Sequence, residues 1–400
     1  TWRAWPTSSR RSSRRRADSR APAPSDRRAL TMERGRVLVA MSGGVDSSVA
    51  AALLHAEGYE IIGATMRLGC SGDDRPDRPC CSLDSVNDAR RVCERLGVPH
   101  YVLNLESAFS RDVVRDFAEE YARGRTPIPC VRCNTFTKFR DLVRKAEALD
   151  CDFVATGHYA RTIDGALHRG LDPAKDQSYF LWGLERRVLA RLLLPVGGRS
   201  KAETRAAARA LGLQVVAEKA ESMDICFVPD GDHVAVVRRE LGADAPALQR
   251  GPFLDLAGRV LGEHDGHARY TIGQRRGLPG GFREPMFVIA IDPARRAVIV
   301  GPREALLGRG VVAHGMNWLV ATPPAVGDTL LVQHRHRATP APATVVRCED
   351  DVLEVALETP LSAIAPGQSL VCYDGDRVVG GGVIEAGRGG MPRTLPILAA

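Results

Sequence analysis

The chain has 400 residues, of which 44% are hydrophobic and 26% are charged, so it is long enough for two or three hydrophobic cores. No uninterrupted apolar run approaches the about 20 residues that span a bilayer, which excludes an integral membrane protein. The formal net charge of +7 comes from residues 1–31, which contain nine arginines and two aspartates. The rest is formally neutral, so nucleic-acid binding by it requires a local basic patch.

Residues 1–31 are rich in Arg, Ser and Pro and poor in apolar residues, which predicts a disordered extension. Three interpretations remain: an extension upstream of a true start at Met32, a nucleic-acid-binding arm, or an Arg/Ser-rich transit sequence. The first is favoured because the chain begins with Thr1 rather than Met.

From Arg36 onward, short β-branched runs alternate with longer helical patterns. This alternation predicts an α/β domain with a doubly wound parallel sheet over residues 32–229. After Gly251 the helical patterns give way to short strands separated by Gly, Pro and Asp turns. We therefore expect a small connecting domain over 230–285, a β-barrel over 286–387 and a tail over 388–400.

The first predicted strand runs into SGGVDSS at 42–48, directly before a helix. Gly43 and Gly44 let the backbone approach an anion closely, the helix N-terminus offers N–H groups, and the serines add hydroxyl donors. Asp46 is unfavourable beside phosphate unless Mg²⁺ or an N-terminal amide offsets its charge. The lysine of GxxxxGK[ST] is missing, which argues against an ordinary P-loop kinase or GTPase.

Ten cysteines without an export signal indicate a reducing compartment. Cys130 and Cys133 form a CxxC that follows two prolines and precedes a helix, whose dipole lowers the pKa of a nearby thiol. Cys226 follows about ninety residues later. This spacing leaves open a structural or zinc site, a redox dithiol, a sulfur-transfer pair and a buried inert pair.

Several motifs stand in an order that resembles the tRNA-specific 2-thiouridylase family, from about Arg36 to Glu385. They are SGGVDSS, GATMRL, GRTPIPCVRCNTFTKF, ATGHYAR, LHRGLDPAKDQSYFLWGL, DICFVP, YTIGQRRGL, RHRATP, APGQS and GGGVIE. SGGVDSS after a first strand also resembles the PP-loop of ATP pyrophosphatases. The resemblance implies the same three-part architecture.

The resemblance implies replacement of oxygen by sulfur at C2 of the wobble uridine of tRNA, with ATP and Mg²⁺. The uridine O2 attacks the α-phosphate, pyrophosphate leaves, and sulfur then displaces AMP. Cys226 is implied to take persulfide sulfur from an upstream carrier protein, and Cys133 to be the nucleophile that pairs with it. The residues implied to hold ATP are Ala40, Met41, Ser42, Gly43, Gly44, Val45, Asp46, Ser47, Met66 and Gly157.

The resemblance also implies three residues near the target base: Ile128, Pro129 and Cys130. Further implied tRNA contacts are His158, Lys175, Asp176, Gln177, Arg335, His336 and Gln368. The basic QHRHR suits phosphates, and KDQSYF places charge and amide groups beside aromatic rings, as base recognition requires. Both segments are equally typical of a solvated loop or strand face.

Cys130 departs from the family pattern, because many members have an aspartate there that is a candidate acid or base. That role then shifts to another group or to Cys130, or is lost. A CxxC with a distant cysteine also resembles tRNA thiolases that bind a 4Fe-4S cluster, here through Cys130, Cys133 and Cys226. We prefer the persulfide relay to the cluster.

Two further functions compete: a PP-loop ligase acting on a small molecule, and a nucleotide-regulated RNA-binding protein without chemistry. The three cysteines and the β-rich C-terminal part argue against the ligase. Formation of AMP that depends on tRNA, with a thiolated product, would exclude the binding protein. We expect a monomer in the bacterial cytoplasm without a membrane partner, with mitochondria as the alternative because of the Arg-rich arm.

Overall fold

A computed structural model describes residues 34–69, 83–219, 225–228, 231–349 and 351–389 of the chain. The predicted disordered extension and residues 390–400 of the predicted tail lie outside the described residues. Within these ranges, no helix combines the length and the apolar character needed to cross a membrane.

The first part of the chain forms a five-stranded parallel sheet with helices on both faces. The strands of this part of the chain are β1 (Arg36–Ala40), β2 (Glu60–Arg67), β3 (His100–Asn104), β4 (Phe153–Ala155), β5 (Ala160–Ile163), β6 (Ala166–Arg169) and β7 (Leu192–Leu193). The sheet order is β3-β2-β1-β4-β7, and each of these strands pairs in parallel with its neighbours. β5 and β6 form a separate antiparallel hairpin.

The helices of this part are α1 (Val45–Ala56), α2 (Leu83–Leu96), α3 (Glu106–Phe109), α4 (Arg115–Ala122), α5 (Pro129–Arg132), α6 (Phe139–Ala148), α7 (Arg186–Leu189), α8 (Lys201–Ala210) and α9 (Gln214–Ala217). π-Helical segments at Ser110–Val114 and Cys133–Lys138 join α3 to α4 and α5 to α6. The CxxC therefore lies where a short helix passes into a wider turn.

The central strand β1 contributes side chains to two cores, as alternation along a strand requires. Val37 and Val39 are buried with residues of α1, α2 and α8 on one face of the sheet. Leu38 and Ala40 are buried with residues of α6 on the other face. A run of apolar residues without polar alternation is what a parallel strand buried on both faces needs.

The middle part contains one helix and a four-stranded sheet. The elements are α10 (His233–Leu241), β8 (Gly251–Leu254), β9 (Val260–His264), β10 (Phe287–Asp292) and β11 (Ala297–Gly301), and the sheet order is β10-β11-β8-β9. The 286–301 hairpin, which we expected to begin the barrel, thus pairs with β8 instead. Val298 and Val300 pack with Phe253 in a core of this sheet, a partnership that the hairpin pattern itself does not encode.

The C-terminal part is a closed antiparallel barrel of six strands. They are β12 (Leu307–Trp318), β13 (Thr329–Gln333), β14 (Ala341–Glu349), β15 (Val352–Ser362), β16 (Ser369–Asp374) and β17 (Arg377–Arg388), in the order β12-β15-β14-β13-β16-β17, and β17 pairs back with β12. The β5–β6 hairpin joins the outside of the barrel, where His168 pairs with Arg377. The predicted fold class, a parallel α/β domain followed by a small domain and a β-barrel, is confirmed.

Candidate active site

The loop between β1 and α1 is shaped by two glycines. Gly44 is the N-cap of α1, and among the described residues no side chain caps this helix end, which leaves a terminus suited to an anion. Gly43 has a φ of +68°, and a Cβ there would stand 2.1 Å from the carbonyl oxygen of Ser85. Only glycine combines this backbone angle with such a close approach of α2.

The serine hydroxyls of the loop hold the loop itself together. The Ser47 hydroxyl accepts a hydrogen bond from the Ser42 amide at 3.1 Å and lies 3.2 Å from the Ser42 hydroxyl. The Ser48 hydroxyl donates to the carbonyl oxygen of Gly44 at 2.8 Å. Because Ser47 and Ser48 are buried, their hydroxyls stabilise the turn, and the exposed Ser42 is the serine that faces outward.

Asp46 has a partner that the sequence did not reveal. The ammonium of Lys201 lies 2.8 Å from both carboxylate oxygens of Asp46, and the Tyr159 hydroxyl donates to Oδ1 at 2.8 Å. Lys201 begins α8, where a capping box between Ser200 and Glu203 fixes the first turn. A lysine side chain thus offsets the negative charge that we expected to be unfavourable beside phosphate.

A second lysine reaches the loop from the end of α9. The ammonium of Lys219 donates to the carbonyl oxygen of Gly43 at 3.2 Å and to Asp88 Oδ2 at 2.8 Å. Arg205 donates to the carbonyl oxygen of Lys219 at 3.2 Å, which fixes the backbone behind the ammonium. The loop has no lysine of its own, yet the fold brings two lysines to it.

The other residues implied to hold ATP lie around the same loop. A Cβ on Gly157 would stand 2.5 Å from the Ser47 amide nitrogen, so the turn after β4 lies directly against the start of α1. Met66, at the end of β2, is half-buried. Ala40, Met41 and Val45 are buried and form the base of the loop.

His158, implied as a tRNA contact, is held next to the loop as a neutral side chain. Its Nδ1 lies 2.7 Å from the Thr156 hydroxyl, and its ring lies 6.0 Å from the ring of Phe139. Burial, together with the nearby charge of Lys138, lowers the pKa of His158 to about 3.

The structure gathers two of the three cysteines in one hydrophobic cluster. Cys133 is 5% exposed and belongs to a cluster with Phe109, Phe117 and Phe227, and the half-buried Cys226 packs against the same cluster. The ring of Phe227 lies 5.6 Å from that of Phe109 and 5.0 Å from that of Phe117. Phe227 therefore anchors the segment that brings Cys226 to the cluster of Cys133, although more than ninety residues of sequence separate the two cysteines.

The target-base residues lie at the start of α5. Pro129 occupies the first turn of the helix and is buried, Ile128 is its N-cap, and Cys130 is exposed. In the ranges that the structure describes, no three His, Cys, Asp or Glu side chains come together as a metal-binding group. Cys130, Cys133 and Cys226 thus do not form an iron–sulfur ligand set in this conformation, and the cluster alternative stays a prediction.

Two of the segments implied to contact tRNA lie side by side. The ring of His336, in the loop after β13, lies 4.5 Å from that of Phe180, beside the Lys175–Gln177 turn. In that turn, the Asp176 carboxylate accepts hydrogen bonds from the Gly170 and Ser178 amides, each at 3.0 Å. Gln177 Oε1 accepts from the Tyr159 amide at 2.9 Å.

Of the implied tRNA contacts, Arg335 and His336 are exposed and Lys175 is half-buried. Gln368 lies elsewhere, because its Nε2 donates to the carbonyl oxygen of Thr126 at 2.9 Å. The side chains of Asp176, Gln177 and Gln368 therefore have structural partners, which the sequence motifs did not indicate.

A cavity of about 420 Å³ separates the CxxC helix from the barrel. Its lining includes Ile128, Val131, Trp182 and Asn317. At its edge, Arg125 donates to Glu120 at 2.7 Å and to Glu385 of β17 at 2.8 Å. Arg125 thereby joins the segment before the CxxC to the barrel, a role that its place in the motif GRTPIPCVRCNTFTKF did not indicate.

Three family models match the chain. They are the tRNA methyl transferase HUP domain over residues 35–230, the tRNA methyl transferase PRC-barrel domain over 243–302 and the Aminomethyltransferase beta-barrel domain over 308–384. The tRNA-specific 2-thiouridylase MnmA of Geotalea uraniireducens (strain Rf4) is 48% identical over 365 residues, which are 88% of this chain and 96% of the relative. The chain belongs to the tRNA-specific 2-thiouridylase family.

Other members support this assignment. The MnmA of Rhodospirillum rubrum is 47% identical over 369 residues, covering 88% of this chain and 97% of the relative. This member of the thiouridylase family is accordingly an enzyme of the sulfurtransferase class, and its first domain has the PP-loop fold, which supports ATP binding.

Two solved structures resemble about half of the chain. NMN synthetase from Francisella tularensis has a TM-score of 0.33 at 16% identity and covers 52% of this chain and 77% of that chain. A 4-thiouridine synthetase–RNA complex with bound ATP has a TM-score of 0.33 at 18% identity and covers 52% of this chain and 51% of that chain.

Proposed function

We propose that this enzyme converts the wobble uridine of tRNA to 2-thiouridine, with ATP as the activating substrate and a cysteine persulfide as the sulfur source. The observation that carries the proposal is the packing of Cys226 and Met66 against the cluster that contains Cys133. Met66 lies near the end of β2, which pairs in parallel with β1. The cluster with the two cysteines and the nucleotide loop therefore lie at the same end of the sheet.

The first step is adenylation. The uridine O2 forms a bond to the α-phosphorus, the bond from that phosphorus to the bridging oxygen breaks, and pyrophosphate leaves with the electron pair while the uridine N3 proton is lost. The N-terminus of α1 and the two lysines supply positive potential where phosphate charge gathers. Adenylation turns a poor leaving group into a phosphate ester.

The second step is sulfur transfer. The terminal sulfur of a Cys226 persulfide attacks C2, and AMP departs with the former O2 and its bonding electron pair. The Cys133 thiolate then attacks Sγ of Cys226, the persulfide S–S bond breaks, and the electron pair remains on the sulfur bound to C2. The products are 2-thiouridine and a Cys133–Cys226 disulfide, which a thiol reductant returns to two thiols.

Mg²⁺ accompanies ATP in this proposal. Both oxygens of Asp46 accept hydrogen bonds from Lys201, and the described residues contain no protein-only metal-binding group. Mg²⁺ would offset phosphate charge at this loop, and Asp46 is the carboxylate that the motif would offer to it.

For tRNA, the exposed Arg335 and His336 next to the Lys175–Gln177 turn offer donors and an aromatic ring to a loop of RNA. Cys130, exposed at the start of α5, stands at the position implied for the target base. We also propose that the protein acts as a monomer in the bacterial cytoplasm, and the bacterial origin of relatives such as the one from Geotalea uraniireducens supports the location.

The experiment separates the two chemical steps. Purified wild type, Cys226→Ser and Cys130→Asp are each incubated with unmodified tRNA, γ-labelled ATP and a persulfide source, and both release of labelled pyrophosphate and thiolation are followed. We expect Cys226→Ser to keep tRNA-dependent adenylation and to lose thiolation, and Cys130→Asp to keep both. Thiolation by Cys226→Ser would contradict the persulfide relay. Adenylation that does not depend on tRNA would contradict the assignment of tRNA as the substrate.

A further inference from the structure

The position of Lys219 is set by the fold rather than by its own flexible side chain. It is the second residue after α9, and Arg205 donates to the carbonyl oxygens of Ala217 and Lys219, at 2.5 and 3.2 Å. Only 26% of the Lys219 side chain is exposed. The ammonium therefore stands at the loop before any nucleotide binds.

The partners of this ammonium leave it suited to an anion. Two of its three N–H donors point at the neutral carbonyl oxygen of Gly43 and at the carboxylate of Asp88. Asp88 also accepts a hydrogen bond from Arg91 at 3.3 Å, so it keeps one cationic partner when the ammonium turns toward another oxygen. Gly43 is next to the N-cap of α1, where phosphate binds in loops of this kind.

We propose that Lys219 is a phosphate ligand of the nucleotide loop, which binds the β- and γ-phosphates of ATP and the pyrophosphate product. This rests on the proposed ATP-dependent function. In a P-loop, the lysine of GxxxxGK[ST] reaches the β- and γ-phosphates. Lys219 has this role in the present loop, although it lies 176 residues from Gly43 in the sequence. Lys201 instead neutralises Asp46, because both carboxylate oxygens of Asp46 accept hydrogen bonds from its ammonium.

The test compares ligands that differ only in their phosphates. Binding of ATP, pyrophosphate and AMP to wild type and Lys219→Met is measured by calorimetry at fixed ionic strength and without tRNA. We expect ATP and pyrophosphate to bind about tenfold or more weakly to the variant, and AMP to bind equally well. Equal weakening of all three ligands would indicate a collapsed loop and overturn the proposal, as would unchanged binding of pyrophosphate.

Two variants sharpen the result. Lys219→Arg keeps the charge and should recover most of the pyrophosphate affinity, which a purely packing role of the lysine stem would not require. Lys145→Met is the matched control, because Lys145 lies over the Tyr101 ring at 5.1 Å on another surface, and it should bind all three ligands like wild type. A loss of pyrophosphate affinity in Lys145→Met equal to that in Lys219→Met would also overturn the assignment.

These measurements are independent of the proposed thiolation. If wild type binds ATP and pyrophosphate through Lys219 but does not thiolate tRNA, the proposed function fails and the lysine assignment stands. If wild type thiolates tRNA and Lys219→Met binds pyrophosphate normally, only the lysine assignment fails.

Discussion

The ammonium of Lys201 lies 2.8 Å from each carboxylate oxygen of Asp46, across 155 residues of sequence. The carboxylate stands in the first turn of α1, next to the position where we expect the triphosphate. An aspartate there repels phosphate unless a cation neutralises it. The ion pair therefore makes the loop fit for its ligand.

This relationship predicts an unusual double-mutant result. Lys201→Met should weaken ATP binding about tenfold, because it exposes the phosphates to an unneutralised carboxylate. Adding Asp46→Asn to Lys201→Met should then restore part of the affinity, since the repelling charge is gone. ATP dissociation constants for the two single variants and the double variant provide the measurement, and simple addition of two losses would contradict the account.

The second prediction concerns Gly43. Gly43→Ala should abolish measurable ATP binding, because its Cβ would meet the Ser85 carbonyl oxygen at 2.1 Å and force α2 and the loop apart. Gly58→Ala is the matched control: Gly58 also has a positive φ, +91°, but a Cβ there meets no atom within 4 Å among the described residues. Both variants bear the cost of the backbone angle, so the comparison separates that cost from the effect of the clash in the loop on nucleotide titrations.

The third prediction concerns the anchor of Cys226. Phe227→Ala should remove the edge contacts with Phe109 and Phe117 and lower thiolation far more than adenylation, because the sulfur-bearing segment loses its position. A buried Phe→Ala change costs about 3–5 kcal/mol, so the assay temperature must leave the protein folded. Phe253→Ala, equally buried in the middle sheet, should leave the ratio of thiolation to adenylation unchanged. A similar drop in that ratio for both variants would show that the effect is general instability.

Much of the fold could be predicted from local pattern. The apolar run of β1 and the glycine-rich loop before α1 encode their own conformations, and the turn-rich C-terminal part indicated a barrel. The hairpin of β10 and β11 was recognisable, but the pattern could not show that Val298 would pair with Phe253 in the middle sheet. Strand partnership depends on tertiary packing that a short alternating run does not specify.

The candidate site was predictable only where the residues lie in a motif. The loop and the CxxC are local signals, and the resemblance supplied Cys226. Lys201 and Lys219 act through partners 155 and 176 residues away, and an isolated lysine carries no local sign of such a partner. Arg125 lies in the CxxC motif, but the motif does not show its partner Glu385, which is 260 residues away. The Ser200–Glu203 capping box could have located the start of α8, but not what its first side chain would bind.

The fourth prediction concerns acid stability. Burial lowers the pKa of His158 to about 3 and that of His334 to about 4, whereas both titrate near 6.5 when the chain is unfolded. The unfolded chain therefore binds more protons below about pH 6.5, and stability should fall as the pH drops from 6.5 toward 4. Urea midpoints at pH 7 and pH 5 provide the measurement.

A pair of substitutions locates the effect. His334 is buried in the barrel, with its Nε2 3.3 Å from the Ser362 carbonyl oxygen, so His334→Gln should reduce the loss of stability between pH 7 and pH 5. The exposed His55 at the end of α1 is the control, and His55→Gln should lose as much stability as wild type. An unchanged midpoint of wild type between these two pH values would contradict the assignment of neutral buried histidines.

Sulfur transfer to tRNA through Cys133 and Cys226 is tested most directly by thiolation with iron-free protein. Unmodified tRNA is incubated with the purified protein, ATP, Mg²⁺ and a persulfide source, then run on a gel containing mercury, which retards thiolated RNA. The account predicts retarded tRNA that requires ATP and disappears in Cys226→Ser. If no tRNA is retarded until the iron–sulfur cluster is reconstituted anaerobically, the relay is contradicted in favour of a cluster. If no tRNA is retarded even then, the proposed reaction is contradicted.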